Sequence, residues 1–293
     1  MARKQGFRVL VATDGSPSAR AAVATAAAFP WPRGAEVRGV VARRLQSPAE
    51  TPRGARPALD RGGMRIAANA RRALAQRWRH ADVAIVDKPP VSAVLDEARR
   101  LGASVVVLGW RGHGALSRFL FGSVSRGVVR QATCPVLVVR RLPREVRSFV
   151  LGLDGSTNAL RAARFLATLR PRRGRITLVR VEEPIAVHST KLLPGNVRAA
   201  IRRELAALNR QRRAKAERHL ARIAARLRRA GWIVRTSVRS GVPLDELLAV
   251  VGRTRPAALV VGARGAGGLR RLLLGSVAEG ALNHSPVPVL VVR

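Results

Sequence analysis

The chain has 293 residues, and 55 basic residues against 17 acidic ones give it a formal net charge of +38. Its single cysteine excludes an intramolecular disulfide, and no apolar stretch approaches the roughly 18 residues that a membrane-spanning helix needs. The length suits two domains of ordinary size, and we expect a cytoplasmic protein without a signal peptide or membrane insertion.

The positive charge is spread along the whole chain. Residues 1–147 carry a net charge of +18 and residues 148–293 carry +20, and 51 of the basic residues are arginine. Such a charge attracts nucleic acids, anionic lipids and nucleotides alike. Because the excess is diffuse, the simpler interpretation is a set of solvated arginine-rich faces, with nonspecific polyanion binding at low salt.

The first half of the chain alternates predicted strands and helices. Short β-branched runs predict strands, Ser16 before Pro17 predicts a capped helix start, and residues 43–63, rich in proline and glycine, predict an irregular loop. Strands are expected at residues 8–13, 36–42, 81–86, 103–108 and 135–139, and helices at 17–29, 64–78, 91–101 and 123–132. This alternation is typical of a parallel sheet with helices on both faces.

The second half repeats the first. Residues 150–156 match residues 10–16 at an offset of 140, and the match continues through Val41 and Val181; from residue 90 onward the offset is 153. The chain is therefore a duplicated unit with 13 additional residues in its second copy. We expect domains at residues 1–142 and 147–293, and a long helix at 197–229.

Each copy contains a glycine-rich connection after its predicted fourth strand. The spacing Gly-x2-Gly-x9-Gly-Ser occurs at Gly109, Gly112, Gly122 and Ser123, and again at Gly262, Gly265, Gly275 and Ser276. The connection runs from the carboxyl end of a strand to a helix N-terminus, where backbone N–H groups and the helix dipole favour a phosphate chain. Because the spacing recurs in the same context, a tight connection without a ligand is the weaker interpretation.

Two further motifs accompany these loops. Asp-Gly-Ser follows the first strand of each copy, beginning at Asp14 and Asp154, and the copies close with Cys-Pro-Val-Leu-Val-Val and Val-Pro-Val-Leu-Val-Val. With them, essentially the whole chain resembles the universal stress protein family in its tandem, ATP-binding form. The resemblance implies two Rossmann-like α/β domains, each a five-stranded parallel sheet with helices on both faces. It also implies that the last strands pair domain to domain as in a dimer, and it is compatible with a homodimer.

The resemblance implies ATP, with or without Mg²⁺, as the ligand of both domains. The loops would hold the triphosphate, the aspartates would contact the nucleoside, and two valines would meet adenine through their backbones. The implied binding residues are Asp14, Val41, Gly109, Gly112, Gly122, Ser123 and Val124 in the first domain, and Asp154, Val181, Gly262, Gly265, Gly275, Ser276 and Val277 in the second. Ser125 offers a further hydroxyl, but Ala278 replaces it in the second copy, which predicts slightly weaker phosphate binding there.

Alternatives exist for the aspartates and for the function as a whole. Asp14 and Asp154 sit where polar residues often assist a helix cap. We expect a stress-response sensor or regulator and not an enzyme, because ATP hydrolysis needs a positioned water and usually a metal held by carboxylates. The rival is a basic nucleic-acid-binding protein of the same fold, since residues 197–229 hold twelve basic residues against two acidic ones. No recognition motif or aromatic pairing accompanies those charges.

Single residues outside these motifs carry less information. His113 lies inside the first loop, but Ala266 stands at the matching place, and no two histidines have metal-ligand spacing. Cys134 precedes a predicted buried strand and is interpreted as a small core residue.

Overall fold

The structure, a computed structural model, describes residues 6–43, 56–112, 121–170, 173–185, 194–265 and 274–293. In the first half these residues form β1 (Arg8–Ala12), α1 (Pro17–Ala28), β2 (Glu36–Ala42), α2 (Arg56–Ala75), β3 (Asp82–Val86), α3 (Pro90–Leu101), β4 (Val105–Gly109), α4 (Ser123–Gln131) and β5 (Val136–Val139). In the second half they form β6 (Ser148–Gly152), α5 (Thr157–Thr168), β7 (Arg175–Glu182), α6 (Gly195–Arg229), β8 (Ile233–Ser240), α7 (Pro243–Thr254), β9 (Ala258–Gly262), α8 (Ser276–His284) and β10 (Val289–Val292).

Each half forms five parallel strands with the same topology. The order is β3-β2-β1-β4-β5 in the first half and β8-β7-β6-β9-β10 in the second. The central strands are rich in β-branched residues and almost completely buried, because helices cover both of their faces. The predicted α/β class and the five-stranded parallel units are confirmed.

The two halves share one sheet. β5 pairs with β10 in antiparallel orientation, with Val138 opposite Val289 and Val136 opposite Val291. The resemblance implied this pairing of last strands, and it produces a continuous ten-stranded sheet instead of two separate sheets. Since the shared pair is antiparallel, the carboxyl ends of the strands point to opposite edges of the sheet in the two halves.

One predicted boundary is wrong. Residues 43–63 were expected to form an irregular loop, yet α2 already begins at Arg56. Pro57 lies in the first turn of this helix, where its missing N–H leaves no hydrogen bond unmade. Gly63 lies within the helix, and a Cβ atom there would lie 3.0 Å from the Cδ of Arg43. The remainder of the predicted loop, residues 44–55, lies outside the described residues.

The hydrophobic core crosses the boundary between the halves. On one face of the sheet, buried residues of α1, α2, α5 and α6 form a single cluster. Aromatic rings connect the halves within it: the centroid of Phe149 lies 5.4 Å from Phe29 and 5.5 Å from Trp232, and Phe7 lies 5.9 Å from Phe165. A second cluster covers the other face with residues of α3, α4, α7 and α8. Each half therefore buries part of its apolar surface against the other.

Two arginines at the ends of the paired strands form reciprocal helix caps. Arg140, after β5, donates from Nη2 to the Asn283 carbonyl of α8 at 3.1 Å. Its counterpart Arg293, after β10, donates to the carbonyls of Val129, at 3.0 Å, and Arg130 near the end of α4. A cation at a helix C-terminus is favourable because the last carbonyls lack intrahelical donors. Burial lowers the pKa of both guanidinium groups from their usual range.

The shared core predicts the effect of Phe149→Ala. Removing the ring deletes its contacts with both halves, so we expect the free energy of unfolding to fall by about 3–5 kcal/mol. Calorimetry and chemical denaturation should still give one transition, because neither half keeps a complete core alone. Two separated transitions in the wild-type protein, or a loss below about 1 kcal/mol in the variant, would contradict a shared core.

A second prediction concerns the Cys134 thiol. It is half-buried, and burial raises its pKa from the ordinary 9.0 to about 11. Because the thiolate is the reactive form, alkylation at neutral pH should be about 100-fold slower in the native protein than in the same protein unfolded by guanidinium. Mass spectrometry of iodoacetamide-treated samples measures this ratio. Equal rates in the two states would show that the thiol is not protected.

Candidate functional site

The candidate sites lie where the order of the strands reverses. In the first half β1 has β2 on one side and β4 on the other, so the connections after β1 and β4 diverge at the carboxyl edge and leave a crevice. Asp14 follows β1, and Gly109 is the last residue of β4. In the second half Asp154 and Gly262 occupy the same places after β6 and β9.

The Asp-Gly-Ser turns have the same geometry in both halves. The Ser16 N–H donates to Asp14 Oδ1 at 2.9 Å, and the Ser156 N–H donates to Asp154 Oδ1 at 2.9 Å. Each serine Oγ accepts the N–H of the third helical residue and so caps its helix. One carboxylate oxygen therefore stabilises the turn, as the capping alternative expected, and the other faces the glycine loop.

The serine hydroxyls also tie the turns to the loops. Ser16 Oγ donates to the Arg111 carbonyl at 3.0 Å, and Ser156 Oγ donates to the Arg264 carbonyl at 3.2 Å. Each loop is thereby held against the helix that follows the first strand.

Close packing explains why glycine occupies each loop position. A Cβ at Gly109 would lie 2.7 Å from the Ala19 nitrogen, and one at Gly262 would lie 3.0 Å from the Ala159 nitrogen. At Gly112 and Gly265 a Cβ would collide with the second oxygen, Oδ2, of Asp14 or Asp154. Larger residues would displace the loop from the aspartate or from the helix. The glycines therefore place each aspartate oxygen directly beside its loop.

The loops end at helices whose N-termini have no side-chain cap. Gly122 precedes α4 and Gly275 precedes α8, and neither supplies a capping side chain. Their N–H groups instead close the loops, donating to the carbonyls of Trp110 at 3.1 Å and Ala263 at 2.9 Å. The first residues of the helices, Ser123 and Ser276, are exposed. The positive ends of two helix dipoles thus face the carboxyl edges of the sheet, a geometry suited to an anion.

The cavities at the two edges differ in size. The cavity of the second half has a volume of about 660 Å³, and that of the first half about 100 Å³. All seven residues implied for the second site line the larger cavity: Asp154, Val181, Gly262, Gly265, Gly275, Ser276 and Val277. Four of the seven implied for the first site line the smaller one: Asp14, Gly109, Gly112 and Val124.

The valines expected beside adenine do not occupy matching positions. The register of the sheet pairs Ala12 with Val40 in the first half, but Gly152 with Val179 in the second. In the second copy the chain between the first and second strands is therefore one residue shorter than in the first copy. The offset of 140 is wrong along this strand.

The shift changes what lies at each position. Val40 and Ala42 line the small cavity, so the alternating side chain of Val41 points to the other face of the sheet. The structural counterpart of Val41 is Arg180, whose Nε donates to Glu182 Oε1 at 2.7 Å. Val181 corresponds to Ala42 and faces the large cavity.

The expected role of Ser125 is also corrected. Its side chain is buried, and Oγ donates to the Gly109 carbonyl at 2.6 Å. The hydroxyl proton stabilises the junction of strand and helix. The hydroxyl is therefore not available to a phosphate in the first site, and its absence at Ala278 does not predict weaker phosphate binding in the second site.

Trp110 makes contacts at the first loop that the sequence did not predict. It follows Gly109, and its ring lies beneath the guanidinium groups of Arg111 at 4.1 Å and Arg140 at 3.6 Å. Its Nε1 donates to the Leu282 carbonyl of α8 at 2.7 Å, which connects the first loop to the other half. The available signal was the break in the repeat, where Trp110 is matched by Ala263.

The middle of each loop, residues 113–120 and 266–273, lies outside the described residues, and so do His113 and Ala266. Among the residues that are described, no three histidine, cysteine, aspartate or glutamate side chains come together as a metal site would require. Within the same residues, no helix combines the length and the apolar character needed to cross a membrane.

Comparison with known proteins places the chain in a family. The model of the universal stress protein family matches twice, at residues 7–140 and 145–293. Universal stress protein Rv2005c of Mycobacterium tuberculosis is 34% identical over 227 residues, which cover 71% of this chain and 68% of that protein. Universal stress protein Rv1996 of the same organism is 31% identical over 207 residues, covering 65% of this chain and 59% of that protein.

Solved structures share the fold over nearly the full length. A universal stress protein from Archaeoglobus fulgidus superposes with a TM-score of 0.68 at 21% identity, covering 99% of both chains. At such low identity this likeness establishes the fold alone, and the two family matches establish membership. The chain belongs to the universal stress protein family, as a tandem of two such domains.

Proposed function

We propose that this protein binds ATP at the carboxyl edge of its sheet and acts as a nucleotide-dependent sensor or regulator in the stress response. One observation carries the proposal: all seven residues implied for the second domain surround a single cavity of about 660 Å³. This volume lies within the range of about 300–1,000 Å³ that is common for small-molecule sites.

The lining of the cavity suits the three parts of a nucleotide. Leu247, Val179 and Val181 supply an apolar wall for a base. Asp154 lies just beyond the end of β6, where it can accept hydrogen bonds from a ribose, because carboxylate oxygens act only as acceptors. The uncapped N-terminus of α8 supplies N–H groups and a positive dipole end for phosphates.

The same lining supports the expectation of binding with little or no turnover. Among the described residues that line the cavity there is one carboxylate, Asp154, and its Oδ1 already accepts the Ser156 N–H. Efficient phosphoryl transfer requires metal ions and a positioned nucleophile in addition to a phosphate cradle. A Mg²⁺ ion accompanying ATP would therefore be held mainly by the phosphates. We expect phosphate release from ATP to remain near background.

Nonspecific polyanion binding is the alternative that the charge favours. The first part of α6 is exposed at Arg202, Arg203 and Arg210, and the helix shows its buried face only from Ala216 onward. Other arginines of the helix are paired internally, such as Arg213 with Glu217 at 3.0 Å. We expect this surface to bind duplex nucleic acid without sequence preference. We expect that binding to disappear by about 0.2 M salt.

The substitution Ser276→Asp tests ATP binding in the second domain. An acidic residue at the first position of a helix favours the helix itself, so the variant should fold. The added charge repels phosphates at the α8 N-terminus, and we expect ATP affinity to fall at least about tenfold. Calorimetry at about 0.3 M salt, where exposed charges are screened, measures the change, with GTP as the comparison ligand.

Asn196→Asp is the matched control. It adds the same charge to the exposed first turn of α6 in the same domain and should leave ATP affinity unchanged. Equal loss in both variants would mean that ATP binds through general charge attraction. Full affinity in the Ser276→Asp variant would refute the proposed site.

A further inference from the structure

The two domains are duplicated in sequence, but their cavities are unequal. A cavity of about 660 Å³ lies at the second carboxyl edge and one of about 100 Å³ at the first. The smaller volume lies well below the roughly 300 Å³ at which small-molecule sites usually begin. The second cavity therefore has the volume of a small-molecule site, and the first does not.

In the first domain Ser18 holds the loop through two further hydrogen bonds. The Ser18 hydroxyl donates to the Arg111 carbonyl, and the Arg111 N–H donates back to Ser18 Oγ at 3.2 Å. These bonds add to the one from Ser16, which both domains have. In the second domain Asn158 stands at the position of Ser18, and its Cβ lies beside Gly262.

The side chain of Arg111 is also held in place. Its guanidinium lies 4.1 Å from the centre of the Trp110 ring, and that ring is fixed in turn by its hydrogen bond to Leu282. The second domain has Ala263 at the position of Trp110, so the matching position carries no ring. Arg111 itself lines the small cavity. Ser18 and Trp110 stand where the second copy has Asn158 and Ala263. Their contacts with Arg111 therefore hold the first loop at the small cavity.

We propose that each chain binds one nucleotide, in its second domain, and that the contacts of Ser18 and Trp110 with Arg111 keep the first site closed. This proposal rests on the proposed function and specifies which half performs it. The first domain then serves as a structural partner, supplying the paired strand β5 and half of the shared core.

The stoichiometry of ATP binding tests the proposal. Calorimetry and native mass spectrometry of the full chain at about 0.3 M salt should give one ATP per chain, bound at least about tenfold more weakly in the Ser276→Asp variant. Two ATP per chain, or one ATP bound to the Ser276→Asp variant with wild-type affinity, would overturn the inequality of the sites and leave ATP binding itself intact. No bound ATP in the wild-type protein would refute the proposed function instead.

Giving the first domain the residues of the second tests the cause. The double variant Ser18→Asn, Trp110→Ala removes the contacts of Ser18 and Trp110 with Arg111 and keeps the bond from Ser16, and we expect the stoichiometry to rise toward two. Ser18→Asn alone keeps Trp110 and its contact with the other half, so it should fold in any case and show a weaker second binding event. Circular dichroism verifies folding. A stoichiometry that stays at one in both folded variants would show that these contacts do not close the site.

Discussion

The antiparallel pair of β5 and β10 is the interaction on which the rest of the structure depends. Each strand has four residues, and all of them are buried. Unpaired, either strand would leave a row of backbone donors and acceptors at an apolar sheet edge, which costs free energy and invites association. Pairing them satisfies both edges at once and joins the helical layers of the two domains on each face of the sheet.

The same pairing fixes the relation between the two candidate sites. Because the strands of the halves run in opposite directions, the sites lie at opposite edges of one sheet. The helices that begin at the sites, α4 and α8, end at the domain boundary, where Arg293 and Arg140 cap them. Each half therefore caps the C-terminus of a helix that begins at the site of the other half. This reciprocal arrangement is like that of a two-fold dimer.

Much of the fold and of the site geometry could be predicted from the sequence. The β-branched runs, the Asp-Gly-Ser turns and the glycine loops report local constraints, and a structural reason for glycine exists at positions such as Gly109 and Gly262. The start of α2 could not be predicted, because the prolines and glycines of residues 43–63 are typical of a loop.

Other features depend on contacts between distant residues. The sequence of β7 can be aligned with that of β2 in two ways that differ by one residue. The pairing of β7 with β6 shows that Arg180, and not Val181, matches Val41. Trp110 has no partner in its own half for Nε1, whose acceptor is 172 residues away. The sizes of the cavities likewise follow from how loops pack, which a repeat seen in the sequence does not reveal.

The most direct measurement is a crystal structure of the protein with a non-hydrolysable ATP analogue. The account predicts one analogue in the second domain, with its phosphates at the N–H groups of Ser276 and Val277 and its ribose beside Asp154. Density for the analogue on the arginines of α6, with the cavity of the second domain empty, would contradict the account.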